Sequence, residues 1–261
     1  MNTREKKLEA FGCLLDVLDE LREKCPWDHK QTNESLRPNT IEEVYELCDA
    51  LERNDSKEER KELGDVLLHI CFYAKIAQEK GLFDIADVCT ALTDKLIYRH
   101  PHIYGHVKAD SAEAVADNWE KLKEHEKDGN KTILSGVPNS LPSLIKAFRI
   151  QEKAAHVGFD WKNKEDVWEK VREELSEYEE ALKKGTDKDC EAEFGDLLFS
   201  LVNAARLYGI NPDNALERTN RKFISRFNHI EKGAKDSGRH VSELTIDEMD
   251  KLWNEAKSKK N

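Results

Sequence analysis

Apolar residues recur every three or four positions along most of this 261-residue chain, the spacing of one side of an α-helix. In the opening segment, Leu8, Phe11, Leu15, Leu18 and Leu21 predict a helix over 4–23. Cys25-Pro26-Trp27-Asp28 interrupts it, because proline disfavours a helical conformation in the residue before it. Trp27 serves there either as a core plug or as one wall of a ligand pocket. Thr40-Ile41-Glu42-Glu43 has the form of a capping box and predicts a helix over 41–53. After the break at Asn54-Asp55-Ser56, a longer helix covers 57–80, with Leu63, Val66, Leu67, Ile70, Phe72 and Tyr73 offered for burial. Gly81 ends it, a fourth helix spans 85–98, and His100-Pro101-His102 stops that one. A polar helix over 110–127 would set Val115, Trp119 and Leu122 against a neighbour.

Gly129-Asn130-Lys131 and Gly136-Val137-Pro138 read as linker, which divides the chain into modules 1–130 and 141–261 joined by 131–140. Pro142 suits the opening of a helix over 141–155. After the turn Gly158-Phe159-Asp160-Trp161, further helices follow over 164–184, 187–208 and 212–231, with Gly209 as terminator of the second and Asn211-Pro212 as start of the third. Gly233 through Gly238 reads as a mobile stretch. Thr245-Ile246-Asp247-Glu248 then caps a last helix carrying Met249, Leu252 and Trp253. Little strand-like alternation occurs anywhere, so the expected class is all-α, in compact helical bundles.

The same pattern is written twice. Glu42-Glu43-Val44-Tyr45-Glu46 and Glu62-Leu63-Gly64-Asp65 return as Glu173-Glu174-Leu175-Ser176-Glu177 and Glu193-Phe194-Gly195-Asp196, each 131 residues further on. Acidic chains produce loose glutamate clusters by chance, but a constant offset across both motifs indicates a duplicated module. A helix advances about 100° per residue, so Glu43 with Glu46, and Glu62 with Asp65, each share a face. If the two helices of a module pack antiparallel, those faces converge. Converging carboxylates repel one another unless a cation neutralises them. Hard oxygen ligands suit Mg²⁺, which also engages phosphates.

Composition narrows the function. A formal charge of −11 argues against a general nucleic-acid surface, which needs concentrated positive charge. Neither a signal segment nor an uncharged run of the ~20 residues needed for a membrane span is present, which gives a cytoplasmic expectation. Six scattered cysteines form no CxxC pair and no recognisable disulfide framework. A di-iron carboxylate bundle would need Glu-x-x-His segments that are missing; His69 follows Asp65 by four, yet its offset partner is Ser200. His100 and His102 have no carboxylate partners to suggest zinc.

Basic residues follow each acidic pair: Lys95 and Arg99 in the first module, Lys222 and Arg226 in the second. Spaced four apart, either pair can address phosphate oxygens from one helical face, or make surface ion pairs. Lys57 and Lys188 keep the 131-residue offset and are weaker phosphate contacts. Asn203 and Asn220 can read a base or sugar, or serve as helix surface and cap. Trp253 either stacks over a ligand or packs the terminal helix.

At the paired Glu-Glu-x-x-Glu and Glu-x-x-Asp motifs the chain resembles the MazG family of nucleoside triphosphate pyrophosphohydrolases. Cys25-Pro26-Trp27-Asp28, His100-Pro101-His102, Lys153 through Trp161 and Asn220-Arg221-Lys222-Phe223 extend the likeness over nearly the whole length. The resemblance implies an all-helical, Mg²⁺-dependent hydrolase, with Mn²⁺ as a substitute, acting on ribo- or deoxyribonucleoside triphosphates. Cleavage at the α–β linkage would give a monophosphate and pyrophosphate, in a house-cleaning role. It implies a homodimer as well, and leaves room for a regulatory protein partner.

Carried onto this chain, Glu174, Glu177, Glu193 and Asp196 resemble metal ligands, with Glu173 orienting or activating water and Lys222 and Arg226 neutralising the triphosphate. Lys188, Asn203, Asn220 and Trp253 complete the expected substrate contacts. In the first module Glu43, Glu46, Glu62 and Asp65 resemble ligands, supported by Glu42, Trp27, Lys57, Lys95 and Arg99. Thr93 departs from the asparagine expected near Lys95, which favours the second module as the active one. Hydrolysis of another nucleotide polyphosphate, an alarmone included, and a non-enzymatic nucleotide-binding regulator are the alternatives.

Overall fold

The structure, a computed structural model, describes residues 1–107, 111, 115, 118, 122 and 132–258. The helix expected over 110–127, with Trp119, and the turn Gly129-Asn130-Lys131 lie outside the described residues almost entirely. The chain divides into two compact units, Met1–Val115 and Ala116–Asn261. No strand occurs among the described residues, as the all-α expectation requires.

In the first unit, α1 (Arg4–Lys24) begins at Thr3, whose Oγ1 accepts from the Lys6 amide at 3.3 Å. It ends where Cys25 turns extended ahead of Pro26. Helices α2 (Asn33–Arg53) and α3 (Ser56–Glu79) form a tightly packed hairpin. Between them Asn54 takes a left-handed conformation, φ 54°, and Asp55 caps α3 by accepting from the Lys57 and Glu58 amides. The α2 start corrects the sequence expectation. The capping box is Thr32 with Ser35, eight residues ahead of Thr40, and Leu36 is buried in the core. Pro38 lies inside α2, in its second turn, where its ring withholds the amide that would otherwise bond the Glu34 carbonyl. Thr40 is therefore mid-helix. Its hydroxyl donates back to the Leu36 carbonyl and meets His69 Nδ1 at 2.8 Å and the Tyr73 hydroxyl at 2.6 Å. Helix α4 (Ile85–Arg99) and the single turn α5 (Pro101–Tyr104) complete the unit.

Leu18, Leu36, Cys71, Phe72 and Ile76 form the core of this unit. Arg22 locks the loop after α1 to α3: it pairs with Glu79 through two bonds, 2.9 and 2.5 Å, and donates to the carbonyls of Asp28, His29 and Gln31. Trp27 rides on that loop with 61% of its surface exposed, so it is not the core plug.

In the second unit, α6 (Ser143–His156) follows Pro142 and ends in a turn with Gly158 at φ 88°. The hairpin of α7 (Val167–Lys184) and α8 (Asp187–Leu207) repeats α2 and α3, with α6 packed on α8. Val167, Val171 and Ala204 are its core. Helix α9 (Pro212–Asp236) pairs with α10 (Ile246–Ser258), opened by the Thr245–Glu248 box. Gly233 lies inside α9 rather than in a mobile stretch, a second correction. A Cβ there would come within 2.7 Å of Leu252, so the glycine lets the two helices approach, beside buried Ile230 and Ala234.

The third correction concerns burial. Of the residues offered on α3, Phe72 is buried, but Leu63, Leu67 and Ile70 are exposed. A helix hairpin resting on one neighbouring helix has one side covered and one side open. The open side is duplicated: Val44, Leu63, Leu67 and Ile70, and their offset partners Leu175, Phe194, Leu198 and Leu201, are all exposed. Among the described residues no helix is long and apolar enough to cross a membrane.

Candidate metal and nucleotide site

Each hairpin brings its two acidic motifs together. In the first unit, carboxylate oxygens of Glu43 on α2 and of Glu62 and Asp65 on α3 all lie within 4.8 Å of one another. In the second, Glu174 and Glu177 on α7 and Glu193 on α8 do the same. Glu46 stands at the edge of the first cluster. Asp196 is outside the second trio and lines a cavity beside it.

Lysines neutralise both clusters. Lys61 Nζ lies 2.8 Å from Glu62, 3.9 Å from Glu46 and 4.0 Å from Asp65. Lys170 Nζ lies 2.6 Å from Glu174 and 3.0 Å from Glu173. These lysines are not copies of one another: Ala192 stands at the offset position of Lys61, and Asn39 at that of Lys170. The carboxylates raise the affinity of both ammonium groups for their protons. Two carboxyls hold protons above their ordinary range. Burial and then neighbouring carboxylates raise Glu43, while Lys61 opposes the shift. Burial and Glu174 raise Glu177, against the pull of Lys170.

The donor set fits a hard divalent cation. All the facing atoms are carboxylate oxygens, and Glu62, 3% exposed, keeps one buried oxygen with no hydrogen-bond partner. A lysine reaches one side of each cluster, and a cation could satisfy what remains.

Only in the second unit do cluster carboxylates wall a cavity among those described. About 630 Å³ in volume, it is lined by Glu174 and Asp196 together with Phe159, Trp161, Phe199 and Asn203. Acidic groups lining one cavity together with aromatic and amide-bearing side chains can hold a ligand that is both charged and planar. The corresponding α3 positions, Leu68, His69 and Phe72, face a different environment: Phe72 is in the core and His69 is bonded to Thr40. The cavity described in the first unit, about 370 Å³, is lined by Asn33, Arg37, Tyr73, Ala77, Leu82 and Phe83, and by no cluster carboxylate.

Other predicted site residues are placed elsewhere. Lys222 and Arg226 lie on α9, where Arg226 stacks over the Trp253 ring at 5.3 Å and Phe223 meets the same ring at 5.2 Å. Trp253 packs the terminal helix. Lys188 is exposed, and Asn220 bonds Glu217 at 3.2 Å. Lys57 and Lys95 are exposed, Arg99 ends α4, and Glu42 is exposed on α2. Conversely, Gln151, Lys170 and Arg206 line the cavity though no motif singled them out. Lys170 was detectable from its position four residues before Glu174; Gln151 and Arg206 carried no such signal.

The fold and these centres define an all-α protein with two carboxylate clusters able to hold metal ions, one of them beside a ligand-sized cavity. The chain belongs to the MazG family: the MazG nucleotide pyrophosphohydrolase domain matches residues 31–104 and again 162–231. A relative from Thermotoga maritima, the nucleoside triphosphate pyrophosphohydrolase/pyrophosphatase MazG, is 45% identical over 250 residues, 95% of either chain. The nucleoside triphosphate pyrophosphohydrolase of Escherichia coli K12 is 39% identical over 251 residues, 94% of this chain and 95% of that one. The Bacillus subtilis protein YabN is 44% identical over 260 residues, which cover 97% of this chain and 53% of that longer protein.

Proposed function

We propose that this chain hydrolyses nucleoside triphosphates at the α–β bond, giving a nucleoside monophosphate and pyrophosphate, and so clears unwanted nucleotides from the cytoplasmic pool. The observation that carries the reading is the cavity of the second unit, lined by Glu174 and Asp196 together with Asn203 and the aromatic residues Phe159, Trp161 and Phe199. A triphosphate needs the acidic groups through its cation, and a base needs the aromatic and amide groups. Family membership supports the same chemistry.

In this reading Glu174, Glu177, Glu193 and Asp196 hold Mg²⁺, with Mn²⁺ as a substitute. When bound, the ion supplies neutralisation of the polyphosphate charge and acidification of water. Glu173, held by Lys170, orients the attacking water and takes its proton. Water's oxygen bonds to phosphorus at the α–β bridge, the bond to the bridging oxygen breaks, and pyrophosphate leaves. To reach the phosphates from α9, Lys222 and Arg226 would have to move, Arg226 leaving its stack over the Trp253 ring, and Lys188, Asn220 and Trp253 would serve as outer contacts. The first module, with Glu43, Glu46, Glu62 and Asp65, binds cations without turnover. We place the modules at 1–130 and 141–261, joined by 131–140.

We also propose a homodimer. Exposed apolar residues in each unit, Val44, Leu63, Leu67 and Ile70 in the first and Leu175, Phe194, Leu198 and Leu201 in the second, support it, since exposed apolar surface marks association. Light scattering at a dimer mass is the expected result, and a monomer at micromolar concentration would remove this part.

The product assay tests the reaction. Incubation with each triphosphate and Mg²⁺, followed by separation of products, should show monophosphate and pyrophosphate in equal amounts. Diphosphate with orthophosphate, or no product from any triphosphate, would overturn it.

A further inference from the structure

Two side-chain amides line the cavity of the second unit, and their partners give them opposite polarity. Gln151, on α6, is 6% exposed. Its Nε2 donates to the main-chain carbonyl of Phe199 at 2.8 Å. A carbonyl oxygen only accepts, so the NH₂ end is committed to it and Oε1 is left over. That oxygen is buried and has no hydrogen-bond partner. A buried acceptor left unpaired is costly, and a ligand that donates to it removes the cost.

Asn203, on α8, is held the other way round. Its Oδ1 accepts from Arg206 Nε at 3.1 Å and from Nη2 at 2.8 Å. A guanidinium only donates, so the amide nitrogen of Asn203 faces away from it. Arg206 is itself pinned by both oxygens of Asp160, at 3.0 and 2.5 Å. Such a two-pronged pair fixes the guanidinium plane as well as its position. All four residues line the same cavity, beside Phe159 and Trp161.

Resting on the hydrolase reading, the structure assigns Gln151 and Asn203 as the pair that reads the edge of the nucleobase, one as acceptor and one as donor. The matching ligand carries a donor beside an acceptor on one planar edge. Every common base has such an edge: N–H beside C=O in uracil, thymine and guanine, and an amino group beside a ring nitrogen in adenine and cytosine. The pair therefore admits several bases and rejects one whose edge nitrogen is alkylated. Arg206 and Asp160 are positioning residues. They set which end of Asn203 meets the ligand.

UTP and N3-methyl-UTP, which lacks the edge donor, test this directly. Dissociation constants are measured by calorimetry with Ca²⁺ replacing Mg²⁺, and pyrophosphate release is measured with Mg²⁺. The expected preference of the wild-type protein for UTP is about tenfold or more, as for a site left with an unpaired buried group. Gln151→Leu and Asn203→Leu should each bring that ratio towards one. Arg206→Met should lower it, and Arg206→Lys, still a pure donor, should restore part of it. Equal binding of both nucleotides by the wild-type protein overturns the assignment without any variant. So do variants with normal circular dichroism that keep the wild-type ratio. Base-selective binding with no pyrophosphate from any triphosphate would sink the hydrolase reading and leave this assignment standing.

Discussion

The two helical hairpins share their carboxylates and differ in what lies behind them. In α2 and α3, Glu43, Glu62 and Asp65 converge in front of a packed interior, where Phe72 is 3% exposed and His69 is tied to Thr40. In α7 and α8, Glu174, Glu177 and Glu193 converge beside a cavity, and Asn203 and Ser200 stand where Phe72 and His69 stood. Duplication kept the electrostatics, and side-chain volume separated the two copies. Holding a cation needs only oxygens at the right spacing, whereas holding a nucleotide also needs room.

The comparison can be broken by exchanging that volume. Phe72→Ala should destabilise the first unit by about 3–5 kcal/mol, the usual cost of deleting a buried aromatic ring, read as a lowered urea midpoint. A negligible shift would mean that Phe72 does not fill the first unit's core. In the other direction, Asn203→Phe carries the first unit's residue into the second. Turnover should fall roughly 10- to 100-fold as the ring takes up ligand space, with helical circular dichroism unchanged. Undiminished turnover would place the substrate somewhere other than this cavity.

Two smaller effects test what the hairpins have in common. Glu43 and Glu177 both bind protons above the ordinary carboxylate range, so the folded protein without metal is penalised as pH rises through that range. A divalent cation competes with those protons. Its stabilising effect should therefore be full near about pH 8 and shrink towards about pH 5, with affinity weakening up to about tenfold per pH unit below the raised pKa values. Melting curves with and without Mg²⁺ check the sign, and a metal effect that grows on acidification would refute it. Smallest of all, Lys61→Met removes the ammonium competing for Glu62 and its neighbours. Metal affinity of the first cluster should rise by about two- to fivefold, the scale of a partly exposed ion pair. Calorimetry on the variant reads this, and a weakened affinity would mean that Lys61 assembles the cluster rather than competing for it.

Helix positions were legible wherever a local signal set them. Asn54-Asp55, Gly81 and Asn211-Pro212 each stopped or started a helix where the sequence placed it, because caps act over three or four residues. Thr40 misled for the same reason: it has the capping pattern, whereas Thr32 makes the box with Ser35, outside that pattern, and burial of Leu36 draws the helix back to Asn33. Gly233 was misread because its role depends on Leu252, nineteen residues away. At the site, the carboxylates could be found by helical periodicity and the constant offset. Gln151 and Arg206 could not. Their meaning comes from Phe199 and Asp160, partners 48 and 46 residues distant that only packing brings near.

Equivalent carboxylates of the two units offer the sharpest test. Glu43 and Glu174 occupy the same repeat position, and both belong to the converging clusters. Pyrophosphate release should be measured for Glu43→Gln and Glu174→Gln, isosteric changes that remove only charge. Glu174→Gln should lower turnover by about 100-fold or more, as loss of a ligand exceeds the usual cost of disturbing its supports, while Glu43→Gln stays within about twofold of wild type. Equal losses in the two variants, or a greater loss in Glu43→Gln, would contradict the assignment of catalysis to the second unit.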